Sequence, residues 1–141
     1  MPLLKNGKYT FSFPSDIKYL EEAESKIVQV AEECNFNESD TDDICIAATE
    51  IINNAIHHGN KGDKNKQVTL IISADDDTLR ITIQDEGEGF DPAAIKDPLS
   101  PENLLSEGGR GIYLVHSLMD NVEYNVFENG SEVVIEKKRK K

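Results

Sequence analysis

The sequence predicts an α+β fold, a two-layer α/β sandwich with helices on one face of a mixed, mostly antiparallel sheet. Two observations carry this. Apolar residues recur with period two in four or five short segments and at spacings of three and four in three longer ones. The order after a first strand is helix, helix, strand, strand, helix, strand, strand, which is not the regular alternation of a doubly wound parallel sheet. The length of 141 residues, 38% hydrophobic and 30% charged, suits one soluble domain that buries a core.

Lys8 to Phe13 places Tyr9, Phe11 and Phe13 on one side, a strand that Pro14 ends. Ser15 is positioned to cap a helix along which Ile17, Leu20, Ala23, Ile27, Val30, Ala31 and Cys34 line one face. Asn35 to Asp43 separates it from a second helix, about Thr41 to His58, stopped by Gly59. Val68, Leu70, Ile72 and Ala74 make a strand, and Asp75-Asp76-Asp77 turns the chain. Leu79, Ile81 and Ile83 then alternate with Arg80, Thr82 and Gln84 in another. From Asp85 to Gly111 runs a loop rich in glycine, proline and acid, with at most a helical turn near Ala93; loops this long in compact domains usually carry function. A third helix, about Gly109 to Met119, precedes strands near Val122–Phe127 and Glu132–Lys137, joined through Asn129-Gly130.

The formal net charge of −12 disfavours nucleic-acid backbones and anionic membranes as partners. The basic run Lys137 to Lys141 reads as a solvated tail. No apolar run reaches the roughly 20 residues that span a bilayer, and the N-terminus is too poor in apolar residues for a secretory signal. Cys34 and Cys45 form neither a CxxC pair nor a metal set, so a reducing cytoplasm is expected.

Three segments carry chemistry. On the second helix, Glu50, Asn54 and His58 fall within an arc of roughly 80°, bordering the face of Ile44, Ala48, Ile51, Ile52 and Ala55. The amide oxygen of Asn54 is a hard ligand suited to Mg²⁺, and Glu50 is placed to take a proton from a hydroxyl. Asn53 lies on the far polar side, His57 reads as a surface residue, and His58 as a cap or phosphate contact. An ordinary amphipathic helix would show the same stripe, so the helix alone does not decide.

Asp85-Glu86-Gly87-Glu88-Gly89-Phe90 follows directly from a strand. A carboxylate there accepts from the exocyclic amine of adenine and cannot donate to a keto group. Gly87 and Gly89 permit positive φ and close approach of backbone to a base. An acidic hairpin turn has the same composition. Gly108-Gly109-Arg110-Gly111 opens the third helix, leaving free amide donors and a positive dipole end for an anion, with Arg110 as an added donor. A flexible linker with an exposed arginine is the alternative. Neither cluster is a P-loop or a Rossmann fingerprint.

Together these boxes resemble the Bergerat-type ATPase domain of gyrase, heat-shock chaperones, histidine kinases and mismatch-repair proteins. Within that superfamily the chain is most similar to the bacterial anti-sigma factor serine/threonine kinases. Glu50-Ile-Ile-Asn-Asn54-Ala-Ile-His-His58-Gly resembles their N-box, and Asp85 to Phe90 and Gly108 to Leu114 resemble their two glycine boxes. Ser117-Leu-Met-Asp120 and Gly130 to Ile135 add to the likeness, which spans about residues 8–137. The resemblance implies ATP and Mg²⁺ as cofactors, with Asn54 as magnesium ligand, Glu50 as general base and Asp85 as adenine contact. It implies that Gly87 and Gly89 shape the base pocket and that Gly109, Arg110 and Gly111 close on the phosphates beneath a lid at about 91–107. The implied partners are a STAS-domain anti-anti-sigma protein as substrate, a sigma factor, and a second copy in a homodimer. Histidine kinases usually carry Asn where Glu50 stands, so Glu50 favours phosphorylation of a hydroxyl. An ATP-binding adaptor that regulates a partner without phosphotransfer is the alternative function.

Overall fold

The structure is a computed structural model that describes residues 3–75, 77–87 and 107–139, with only the backbone path given for 107–112. Among the described residues five strands form one sheet: β1 (Lys8–Pro14), β2 (Gln67–Ala74), β3 (Thr78–Asp85), β4 (Asn121–Phe127) and β5 (Gly130–Lys138). Their order is β1-β2-β3-β5-β4, and all four pairings are antiparallel. The helices are α1 (Leu20–Glu33), α2 (Glu38–Asn54) and α3 (Glu107–Leu118). The expected α+β sandwich is present.

Alternation along the strands decides which face of the sheet is covered. Val68, Leu70 and Ile72 of β2, Leu79, Ile81 and Ile83 of β3, and Ile135 of β5 are buried against Ile27, Val30, Ile44, Ile52 and Ile56 of the helical layer. Burying such a side chain contributes roughly 1.5–3 kcal/mol, more than the ~1 kcal/mol of a helix cap. The apolar stripe therefore sets where α2 lies, and its ends adjust. The opposite face carries polar ladders, among them Arg80 to Glu136 at 3.1 Å and Ser12 to Thr69 at 3.0 Å.

Four local expectations are corrected. Ser15 does not cap the first helix: Asp16 accepts from the Lys18 amide and caps a short 3-10 turn, Ile17–Tyr19, that leads into α1. α2 starts at Glu38, capped by the Asn37 side chain, which accepts from the Asp40 amide at 2.7 Å. Its first turn is polar even where buried, at Asp40 and Thr41, so apolar periodicity starts one turn late. The β4–β5 connection is Glu128-Asn129, since Gly130 already pairs with Phe127. Lys137 does not begin a solvated tail. It is 7% exposed in β5, its Nζ donates to the carbonyl of Leu118 at the end of α3, and Asp43 of α2 lies 3.6 Å away.

Lys137 thus ties the end of α3 to the sheet and to α2. Removing it leaves a part-buried carbonyl without its donor and the Asp43 carboxylate without its cation, so Lys137→Met is expected to cost about 1–3 kcal/mol, read from urea unfolding. A stability within ~0.3 kcal/mol of the parent would contradict this tie. Among the described residues, no helix is long and apolar enough to cross a membrane.

Candidate functional site

The last turn of α2 does not close as an α-helix. Ala55–Gly59 forms a π turn, in which the Asn60 amide donates to the carbonyl of Ala55 at 2.8 Å. Such widened turns recur at functional sites. This one carries His57 and His58 to exposed positions and brings Gly59 against the end of β3.

At that strand end Asp85 pairs across the sheet with Val68 and Ser131, so its side chain stands on the helix-covered face. Oδ2 accepts from Ser131 Oγ at 2.7 Å, and Oδ1 accepts from the Gly87 amide at 3.0 Å. Each carboxylate oxygen keeps a second lone pair. Gly59 and Gly130 press the same residue from two sides: a Cβ on Gly59 would fall 2.4 Å from Asp85 Oδ2, and one on Gly130 would fall 2.3 Å from the Asp85 carbonyl oxygen.

A cavity of about 230 Å³ opens between α2 and the sheet, lined by Asn54, His58, Gly59, Asp85, Tyr124 and Ser131 over an apolar floor of Ile51, Ile83 and Val133. Small-molecule sites typically run from about 300 Å³ upward, so the space suits a flat heterocycle rather than a whole nucleotide. A wider hollow along α1, about 540 Å³, is open to solvent and lined by Glu21, Glu24 and Glu32. It gathers none of the predicted site residues.

Asn54, His58 and Asp85 come together on this one cavity. Glu50, one turn earlier on α2, is half-buried and lies outside the cavity wall. Among the described residues neither the Glu50 nor the Asn54 side chain has a hydrogen bond. Gly87 is buried, and its φ is not positive; glycine is required there by close approach, since a Cβ would fall 2.0 Å from the Gly59 carbonyl oxygen. Gly108, Gly109 and Arg110 fall in the first turn of α3, whose backbone amides lack intrahelical acceptors, and Gly111 follows. The Arg110 side chain, Gly89, Phe90, the turn near Ala93 and nearly all of the 91–107 segment lie outside the described residues.

Three contributors were not foreseen. Ser131 reaches Asp85 only through the β3–β5 register, which no local pattern encodes. Tyr124 forms a wall of the cavity, and its hydroxyl meets His116 Nε2 of α3 at 3.2 Å; burial pushes its phenol up to about 12. Asn60, 1% exposed, accepts from the Glu86 amide beside Asp85.

Residues 13–137 match the family described as the Histidine kinase-like ATPase domain. The chain is 36% identical over 106 residues to the serine-protein kinase RsbW of Bacillus licheniformis, covering 69% of this chain and 64% of that protein. It therefore spans just under two thirds of that relative's length. To the serine-protein kinase RsbW of Oceanobacillus iheyensis it is 30% identical over 118 residues, covering 79% of this chain and 75% of that one. The RsbU and RsbW domains of Rv1364c from Mycobacterium tuberculosis share the fold with a TM-score of 0.70 at 14% identity, over 95% of this chain and 33% of that chain. The catalytic domain of the histidine kinase ThkA does so with a TM-score of 0.60 at 14% identity, over 92% and 97%. Matched from the end of β1 through nearly all of β5, with the three described helices between, the chain belongs to the histidine kinase-like ATPase domain family, in the branch of the serine-protein kinases RsbW.

Proposed function

We propose that the chain is an ATP-dependent protein serine/threonine kinase that acts as an anti-sigma factor in a partner-switching module. In this reading it phosphorylates a serine on a STAS-type antagonist, works as a homodimer and resides in the cytoplasm. The observation that carries it is the Asp85 carboxylate, fixed by Ser131 and Gly87 in a heterocycle-sized cavity that Asn54 also lines. That carboxylate accepts the 6-amino group of adenine and refuses the 6-keto group of guanine.

The donor set also suits magnesium held mostly by phosphate. A single neutral amide oxygen, Asn54, adds to phosphate and water ligands, as Mg²⁺ prefers. Bound there, Mg²⁺ would neutralise charge on the triphosphate. Glu50 takes the proton of the acceptor serine as its oxygen bonds to the γ-phosphorus and the bond to the ADP oxygen breaks. The first-turn amides of α3 and Arg110 are assigned to the phosphates.

The test is incubation of the purified protein with γ-labelled ATP, Mg²⁺ and STAS proteins from the same genome. Acid-stable phosphoserine on one of them is expected. Saturable ATP binding with no transfer to any of them would favour the adaptor reading, and acid-labile label on a histidine would move the chain to histidine-kinase chemistry. A folded sample that takes up no ATP would remove the proposal.

A further inference from the structure

We infer that Asn60 is a positioning residue for nucleobase selection, acting on Asp85 through the peptide that follows it. This rests on the nucleotide reading of the cavity. Asn60 is 1% exposed, and every polar group of its side chain is engaged. Its Nδ2 donates to Ser15 Oγ at 2.6 Å and to the Gln67 carbonyl at 3.0 Å, while Oδ1 accepts from the Glu86 amide at 2.8 Å.

The orientation of this amide is forced. Ser15 Oγ spends its own proton on the Lys66 carbonyl at 2.7 Å, so toward Asn60 it can only accept, as can the Gln67 carbonyl. Flipping the amide would set an oxygen against two acceptors and an NH₂ against the Glu86 N–H. The fixed Oδ1 then anchors the Asp85–Glu86 peptide, the backbone from which the Asp85 side chain reaches into the cavity. The backbone amide of the same residue closes the π turn on Ala55, within the helix end that carries Asn54 and His58. Asn60 therefore joins the two cavity walls, and its carboxamide alone supplies the acceptor and both donors.

A base with a 6-amino group depends on that reach; a base with a 6-keto group presents an acceptor at that position, so its binding does not draw on a hydrogen bond from position 6 to Asp85. ATP and ITP, which differ at this position, separate positioning from bulk stability. Wild type is expected to prefer ATP over ITP by about 10²-fold or more in calorimetric titration. Asn60→Ala is expected to cut that preference at least tenfold (roughly the worth of one misplaced hydrogen bond), through weaker ATP binding with ITP binding little changed. Ser15→Ala, which leaves Asn60 its bonds to the Gln67 carbonyl and the Glu86 amide, should retain the preference. An Asn60→Ala protein with the wild-type ATP-to-ITP ratio overturns the assignment, however low its melting temperature. Wild type that fails to bind ATP sinks the nucleotide reading itself, a separate failure. Should Asn60→Ala not fold, hydrogen exchange at Glu86 in the wild-type chain decides: a protected amide is expected, and exchange at the rate of an open loop overturns the proposal.

Discussion

Glu50→Gln is expected to leave ATP binding within about twofold of wild type while lowering single-turnover phosphate transfer by roughly 10²–10⁴-fold, the range a general base supplies. The geometry separates the two effects. Glu50 lies outside the cavity that holds Asp85, Tyr124 and Ser131, so its loss does not touch the proposed base contacts. Glutamine keeps the size of the side chain and removes the proton acceptor. The loss corresponds to about 2.7–5.4 kcal/mol in the barrier, at 1.36 kcal/mol per tenfold. Asn54→Ala is expected to do the reverse, weakening Mg²⁺-dependent ATP binding first, because a metal ligand is lost before any chemistry occurs. Titration gives the binding arm and quenched single-turnover assays the transfer arm. A Glu50→Gln protein that transfers phosphate at the wild-type rate would strip Glu50 of its role and favour a solvated face for that part of α2.

Strand and helix identities were legible because their apolar periods are clean: β3 alternates from Leu79 to Ile83, β2 does so from Val68 to Ile72 with Ile71 as the one apolar residue out of phase, and the buried face of α2 from Ile44 to Ala55 keeps helical spacing. Ends were less legible. Asp40 and Thr41 are polar yet buried, so α2 starts before its apolar signal. Lys137 continues the inward alternation of Val133 and Ile135, but its charge placed it in a tail on paper; the carbonyl of Leu118 and the carboxylate of Asp43 are what make burial tolerable. The cavity divides in the same way. Asp85, Asn54 and His58 stand out by residue type and by local pattern. Ser131, Tyr124 and Asn60 join through strand register, a cross-element ring contact and a buried amide network, all long-range relations with no local period.

Gly87→Ala is expected to weaken ATP binding at least about tenfold and to destabilise the fold by roughly 1–3 kcal/mol, the cost of overpacking a tight site. The added methyl would fall 2.0 Å from the Gly59 carbonyl oxygen and 2.6 Å from its carbon. Both are backbone atoms, so no side-chain rotation relieves the contact. Either the π turn withdraws, carrying His58 and Gly59 with it, or the Asp85–Gly87 turn lifts. The second movement also breaks the 3.0 Å bond from the Gly87 amide to Asp85 Oδ1, freeing the carboxylate to rotate away from the base. Backbone strain adds nothing, because the φ of Gly87 is not in the left-handed region. Both routes enlarge or skew the cavity, and both reach nucleotide binding through Asp85. Glu86→Ala at the neighbouring exposed position keeps the backbone amide that Asn60 accepts from and should bind ATP as wild type does. Equal ATP affinity in Gly87→Ala and Glu86→Ala would show that the close approach of the two turns does not shape the base pocket.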